Sequence, residues 1–144
     1  MPKSFELINV GKFEDIKDKQ YILPDSKKVL EGKVFLNELM DLTGSEISLN
    51  SFAPGQYFPF DHKHKKNEEL FIILKGEGEF EIDGKKMDIK EGSIIKVNPN
   101  EVRNICNTSK DTNMLYIVIQ TIENSMNSKK PTEDGISVVE RTKW

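Results

Sequence analysis

From Glu46 onward, apolar and polar positions alternate in short runs broken by turn residues, the period of two that marks half-buried strands. The runs span Glu46–Ala53, Asp61–Lys65, Glu69–Lys75, Glu77–Ile82, Lys85–Lys90, Ser93–Val97, Val102–Asn107 and Asn113–Ile122. Eight short strands at such close spacing predict a sandwich or a barrel. One hairpin can be read in register. Asp83-Gly84 is a two-residue loop of the type I′ kind, so Ile82 opposes Lys85, Glu81 opposes Lys86 and Phe80 opposes Met87. Phe80, Ile82, Met87 and Ile89 then share the buried face, and Glu81 meets Lys86 on the wet one.

The N-terminal part follows other patterns. Phe5–Val10 offers a strand, Lys12–Gln20 is charged, and Tyr21-Ile22-Leu23 is apolar. Phe35, Leu36, Leu39 and Met40 fall on one helical face, predicting a short helix over Val34–Leu42 that Thr43-Gly44 stops. The expected organisation is an arm with this helix at 1–45 packing on a barrel at 46–122, then a tail at 123–144. Ile136–Glu140 is expected to return as a last strand.

Composition supports an all-β fold. Ala53 is the only alanine, whereas 15 Ile and 8 Phe favour strands over long helices. With 21 Lys+Arg against 24 Asp+Glu, the net charge of −3 argues against a nucleic-acid partner, which needs a basic face. No apolar run approaches the roughly 18 residues that cross a membrane, so no membrane partner is expected. Cys106 stands alone, no apolar leader follows Met1, and a cytoplasmic location is the expectation.

The two histidines of the chain are His62 and His64, with Glu68 and Glu69 just downstream. Two imidazoles at i and i+2 on a strand project to one face and can reach one point in space. An antiparallel partner strand beginning at Glu69 would add a carboxylate, giving a set that suits Fe, Mn, Zn or Ni with positions left open. The same alternation points Phe71 and Ile73 inward beside Glu69. The competing reading puts His-Lys-His in a charged, solvated loop. Tyr57, Phe58 and Phe60 are read chiefly as packing residues, with a pocket wall as the alternative. Cys106 falls on the face opposite Arg103 and Ile105 and reads as structural.

The wider spacing adds to this. Gly55, six residues, His62-Lys63-His64, four residues, Glu69, six residues, Gly76 resembles the first signature motif of the cupin superfamily, with the first gap longer by one. Gly92, five residues, Asn98-Pro99-Asn100, two residues, Arg103, three residues, Asn107 resembles the second. The resemblance implies a double-stranded β-helix, or jelly-roll, barrel with His62, His64 and Glu69 as ligands of a divalent transition metal. It also implies a small-molecule ligand and, from the habit of the family and the apolar N-terminal segment, a homodimer.

Arg103 departs from the pattern, because it stands where the family usually has a fourth ligand, a histidine. A guanidinium has no lone pair to give and stays charged, so it cannot take that role. Three alternatives stay open: Arg103 forks onto an anionic substrate in front of a three-ligand metal, it pairs with Glu69 or Glu68 in a structural network without metal, or it sits exposed at the rim. The leading functional expectation is a metal-dependent protein acting on a small anionic metabolite by oxygenase- or isomerase-type chemistry, with Arg103 orienting the substrate. A non-catalytic small-molecule binding or sensing module is the alternative.

Overall fold

The computed structural model describes residues 4–126, 128–138 and 141–144. Among the described residues ten strands follow in order: β1 (Gln20–Ile22), β2 (Val29–Glu31), β3 (Lys33–Phe35), β4 (Glu46–Phe52), β5 (Asn67–Lys75), β6 (Glu77–Ile82), β7 (Lys85–Lys90), β8 (Ile94–Val97), β9 (Arg103–Asn107) and β10 (Met114–Ile122). Two sheets make the barrel, a five-stranded one ordered β3-β4-β10-β5-β8 and a three-stranded one ordered β7-β6-β9, while β1 and β2 form a separate ribbon. Every pairing is antiparallel. This is the expected all-β, double-stranded β-helix class. Inward residues of both sheets interlock as one core, with Phe52, Phe71, Ile73, Val97, Met114, Tyr116 and Val118 facing Phe80, Ile89 and Ile105.

The β6–β7 hairpin adopts the register expected of it, with Ile82 opposite Lys85, Glu81 opposite Lys86 and Phe80 opposite Met87. Asp83 and Gly84 both carry positive φ, 49° and 83°, as a type I′ turn demands. Phe80 and Ile89 are buried, and Ile82 and Met87 pack against the core beside them.

Outside the histidine segment, three expectations need correction. The helix over Val34–Leu42 does not form: Val34 and Phe35 lie in β3, opposite Leu49 and Ser48 of β4, and only Leu36–Glu38 makes a single 3-10 turn. A two-turn helix begins with an unfavourable nucleus, so the strand ladder wins. Asn37 fixes the ensuing loop by donating to the Ser45 carbonyl and accepting from the Ile47 N–H. Phe5–Val10 forms no strand, and Glu6 ties it down by accepting the Asp41 N–H. In the tail, Ile136 and Val138 are exposed and in no strand, and the rest of the expected last strand, residues 139 and 140, lies outside the described residues.

The polypeptide before the barrel core is woven into it. Ile16, in a 3-10 helix at Phe13–Asp18 packed on β4, is buried. Gly32 passes so close to β4 that a Cβ there would lie 2.0 Å from the Ser51 carbonyl oxygen. Its positive φ and its acceptance of the Ser51 N–H at 2.8 Å set the register in which Lys33 faces Asn50.

Candidate metal centre

The segment carrying His62 and His64 does not become the strand expected at Asp61–Lys65. It runs along β9 through separated contacts: the Phe58 N–H donates to the Ile105 carbonyl, His62 and Arg103 exchange backbone hydrogen bonds, and the His64 N–H donates to the Pro99 carbonyl. The ladder stays broken because Pro59 has no N–H to give and the chain bends at Lys65 and Lys66. The Asn104 side chain pins this segment by donating to the Phe58 carbonyl and the Asp61 carboxylate. The partner of the histidine segment is therefore β9, whereas β5, which carries Glu69, is flanked by β10 and β8. Glu69 meets the imidazoles across the barrel interior and not along a shared ladder.

Around one carboxylate oxygen the geometry is tight. Glu69 Oε1 lies 3.2 Å from His64 Nε2, 3.8 Å from His62 Nε2 and 3.3 Å from Arg103 Nη1. The candidate ligand atoms of His62, His64 and Glu69 all fall within 4.8 Å of one another. Neighbouring donors around an ion held at about 2.1 Å lie roughly 3 Å apart, so the His64–Glu69 separation suits two ligands of one metal. His62 Nδ1, His64 Nε2 and Glu69 Oε1 are buried without a hydrogen-bond partner. Two imidazoles and a carboxylate converging in this way fit a divalent cation.

Protonation states agree with that use. Burial lowers the His62 pKa from 6.5 to about 4, with the His64, Arg103 and Lys33 charges acting in the same direction and Glu69 opposing them. The imidazole is therefore neutral, with a lone pair to donate, at ordinary pH. Burial pushes Glu69 upward, but the contact with His64 and the nearness of His62 and Arg103 outweigh it and hold the carboxyl below its usual range. Glu69 is thus an anion although only 3% exposed.

Arg103 is 1% exposed, which removes the rim-exposed alternative. Its Nη2 donates to the Asn98 carbonyl at 2.5 Å, and its Nη1 approaches Glu69, the pairing that the second alternative describes. Ile105 is buried on the same side of β9, and Cys106 is less buried on the opposite side, as alternation requires. These groups open on a cavity of about 190 Å³, below the roughly 300–1,000 Å³ of drug-sized ligand sites. Phe58, Phe60, Phe71, Tyr116 and Val118 form apolar walls, and Lys33, Ser48, Asn104 and Gln120 are further polar lining. Phe58 packs against the core and, with Phe60, also lines the pocket, their rings 5.0 and 6.0 Å from that of His62, while Tyr57 is exposed outside. Lys33 escapes sequence reading altogether, since nothing in its local pattern separates it from 18 other lysines.

The family model described as "Cupin domain" matches residues 48–120, half of the chain. This chain is a cupin. Its relatives include the oxalate-binding protein of Thermotoga maritima, 32% identical over 96 residues, which span 65% of this chain and 69% of the relative. Among solved structures, a cupin protein from Bacteroides fragilis superposes with a TM-score of 0.68 at 30% identity, covering 83% of this chain and 96% of the other. A predicted oxalate decarboxylase from Thermotoga maritima gives a TM-score of 0.58 at 25% identity, covering 72% and 90%. His62, His64, Glu69 and Arg103 all fall within the matched residues. Among the described residues, no helix is long and apolar enough to cross a membrane.

Proposed function

We propose that this cupin holds a divalent transition metal on His62, His64 and Glu69 and uses the adjoining cavity to take a small carboxylate. The observation that carries the reading is the convergence of two imidazoles and one carboxylate, with buried atoms lacking hydrogen-bond partners, on the wall of a cavity too small for a large ligand. Such an ion, when bound, supplies a Lewis acid that polarises a ligand oxygen. Three protein ligands leave coordination positions for that oxygen.

The chain's own residues do the rest. His62, neutral through burial at ordinary pH, offers a nitrogen lone pair, and His64 stands beside it as the second nitrogen ligand. Arg103 holds its guanidinium beside the site, with Nη1 3.3 Å from Glu69 Oε1 and with Nε and Nη1 buried without a hydrogen-bond partner. Phe58, Phe60 and Phe71 exclude water around the reacting end of the ligand and strengthen its electrostatic contacts. Oxalate binding in one relative and predicted oxalate decarboxylation in another support a small acid as the ligand class.

A second reading keeps the same site without turnover, favoured by the relative whose name describes binding alone. Calorimetric titration of the metal-loaded protein with oxalate and with its neutral diamide separates charge recognition from shape. The reading expects heat of binding from oxalate only, weakened on chelation. Equal binding of both, or none, removes the small-carboxylate assignment. Release of carbon dioxide or another product under turnover conditions then divides enzyme from binding module.

A further inference from the structure

A second cation faces this cavity from outside the metal centre. Lys33, on β3, donates from Nζ to Asn50 Oδ1 at 2.7 Å and lies over the Phe35 and Phe58 rings at 5.1 and 5.7 Å. Asn50 is buried and already oriented, because its amide nitrogen lies 3.1 Å from Ser48 Oγ, 3.2 Å from the Ser48 carbonyl and 3.4 Å from the Tyr116 carbonyl. That leaves the amide oxygen turned to Lys33. Gly32, close against Ser51, holds the strand in the register that makes the contact.

The ammonium is incompletely satisfied. It carries three N–H donors, of which Asn50 takes one, and among the described residues no carboxylate lies within ion-pair distance of it. Burial lowers its pKa from 10.5 to about 8 against the pull of Glu69 and Glu46, so it is mainly charged at neutral pH. Lys33 is partly withdrawn from water, and an anion entering the cavity would supply acceptors for its remaining N–H donors. The contrast with Arg103 is direct: two of that guanidinium's nitrogens already face Glu69 and the Asn98 carbonyl.

We propose that Lys33 is the anion anchor of the cavity, binding the carboxylate of a small acid whose body lies between Phe58, Phe60 and Phe71 and whose other end reaches the His62–His64–Glu69 centre. The assignment deepens the small-carboxylate reading and rests on it. Asn50 and the two aromatic faces act as the frame that holds the ammonium ready, so little freedom is lost when the acid binds.

The test follows lysine side-chain NMR signals while oxalate, acetate and inorganic phosphate are titrated into chelator-stripped and zinc-loaded protein. The signal absent from Lys33→Arg identifies Lys33. Calorimetry on Lys33→Met and Lys33→Arg, with zinc per chain and melting temperature measured alongside, completes it. The Lys33 signal is expected to move with oxalate in both metal states. Lys33→Met is expected to keep its zinc and its melting temperature while binding oxalate roughly tenfold to a hundredfold more weakly, and Lys33→Arg to stay within a few-fold of the parent. Oxalate bound as tightly by folded, zinc-loaded Lys33→Met as by the parent overturns the anchor alone. Should Lys33→Met not fold, an unmoved Lys33 signal in the parent overturns it equally. Tighter binding of phosphate than of either acid refutes the carboxylate class. A parent that holds neither zinc nor oxalate removes the proposed function, and the anchor with it.

Discussion

Replacing Arg103 by Met probes how the buried charges are balanced. Arg103 Nη1 stands 3.3 Å from Glu69 Oε1, and both side chains are almost wholly buried. At an effective dielectric of about 20, unit charges at that distance attract by roughly 5 kcal/mol, and removing one partner of a buried pair costs about 3–5 kcal/mol in practice. Glu69 keeps His62 and His64 beside it, so the lower end, about 3 kcal/mol, is expected for metal-free protein. For a chain of 144 residues that corresponds to a fall in Tm of about 10 °C. Metal affinity moves the other way. Arg103 is a like charge beside the ion and a rival for Glu69, so Arg103→Met is expected to bind zinc at least about tenfold more tightly. It should also regain on zinc addition more Tm than the parent gains, because ligand binding stabilises the folded state by mass action. Differential scanning fluorimetry of chelator-stripped and zinc-loaded protein, with a competing chelator for affinity, reads both quantities. A metal-free Arg103→Met that melts within about 2 °C of the parent, or that holds zinc less well, would refute this account of the charge balance.

Other residues give sharper local tests. In metal-free protein His62 has a folded pKa of about 4 against 6.5 when exposed, so the unfolded chain binds the extra proton between those values and stability falls as pH drops from 6.5 to 4. The loss amounts to about 3 kcal/mol at most, and urea unfolding across this range should show it in the parent and not in His62→Gln. Asn107 is fully buried and serves three backbone groups, donating to the Phe52 and Thr112 carbonyls and accepting from the Ser109 N–H. Asn107→Ala should therefore cost about 3 kcal/mol or more, read as a lowered urea midpoint without loss of zinc per folded chain. At the β6–β7 turn, Gly84 has a φ of 83° with open space where a Cβ would sit, so Gly84→Ala should cost only backbone strain, about 1–2 kcal/mol, with the metal centre intact by elemental analysis.

Much of the barrel was legible because its strands bury one face. Alternation in β6 and β7 specified which residues point inward, and the Asp83-Gly84 turn fixed the register without help from distant residues. The arm was less legible because its fate depends on partners far along the chain. Val34 and Phe35 read as helix until β4 offers Leu49 and Ser48 as ladder partners. The site divides in the same way. His62, His64 and Glu69 declare themselves by residue type and spacing, although their meeting rests on β9 holding one segment and β10 and β8 the other. The burial of Arg103 follows from its alternation with Ile105, but its contact with Asn98 depends on the turn before β9. Lys33 reaches the cavity only through the pairing of β3 with β4, which no local periodicity encodes.

The central claim is that His62, His64 and Glu69 form a metal centre, and elemental analysis of the untagged protein beside His62→Ala/His64→Ala tests it most directly. The account predicts close to one transition-metal ion per chain in the parent and none in the folded double variant. Metal absent from the parent even after reconstitution with Fe(II), Mn, Zn and Ni, or retained equally by the double variant, would contradict it.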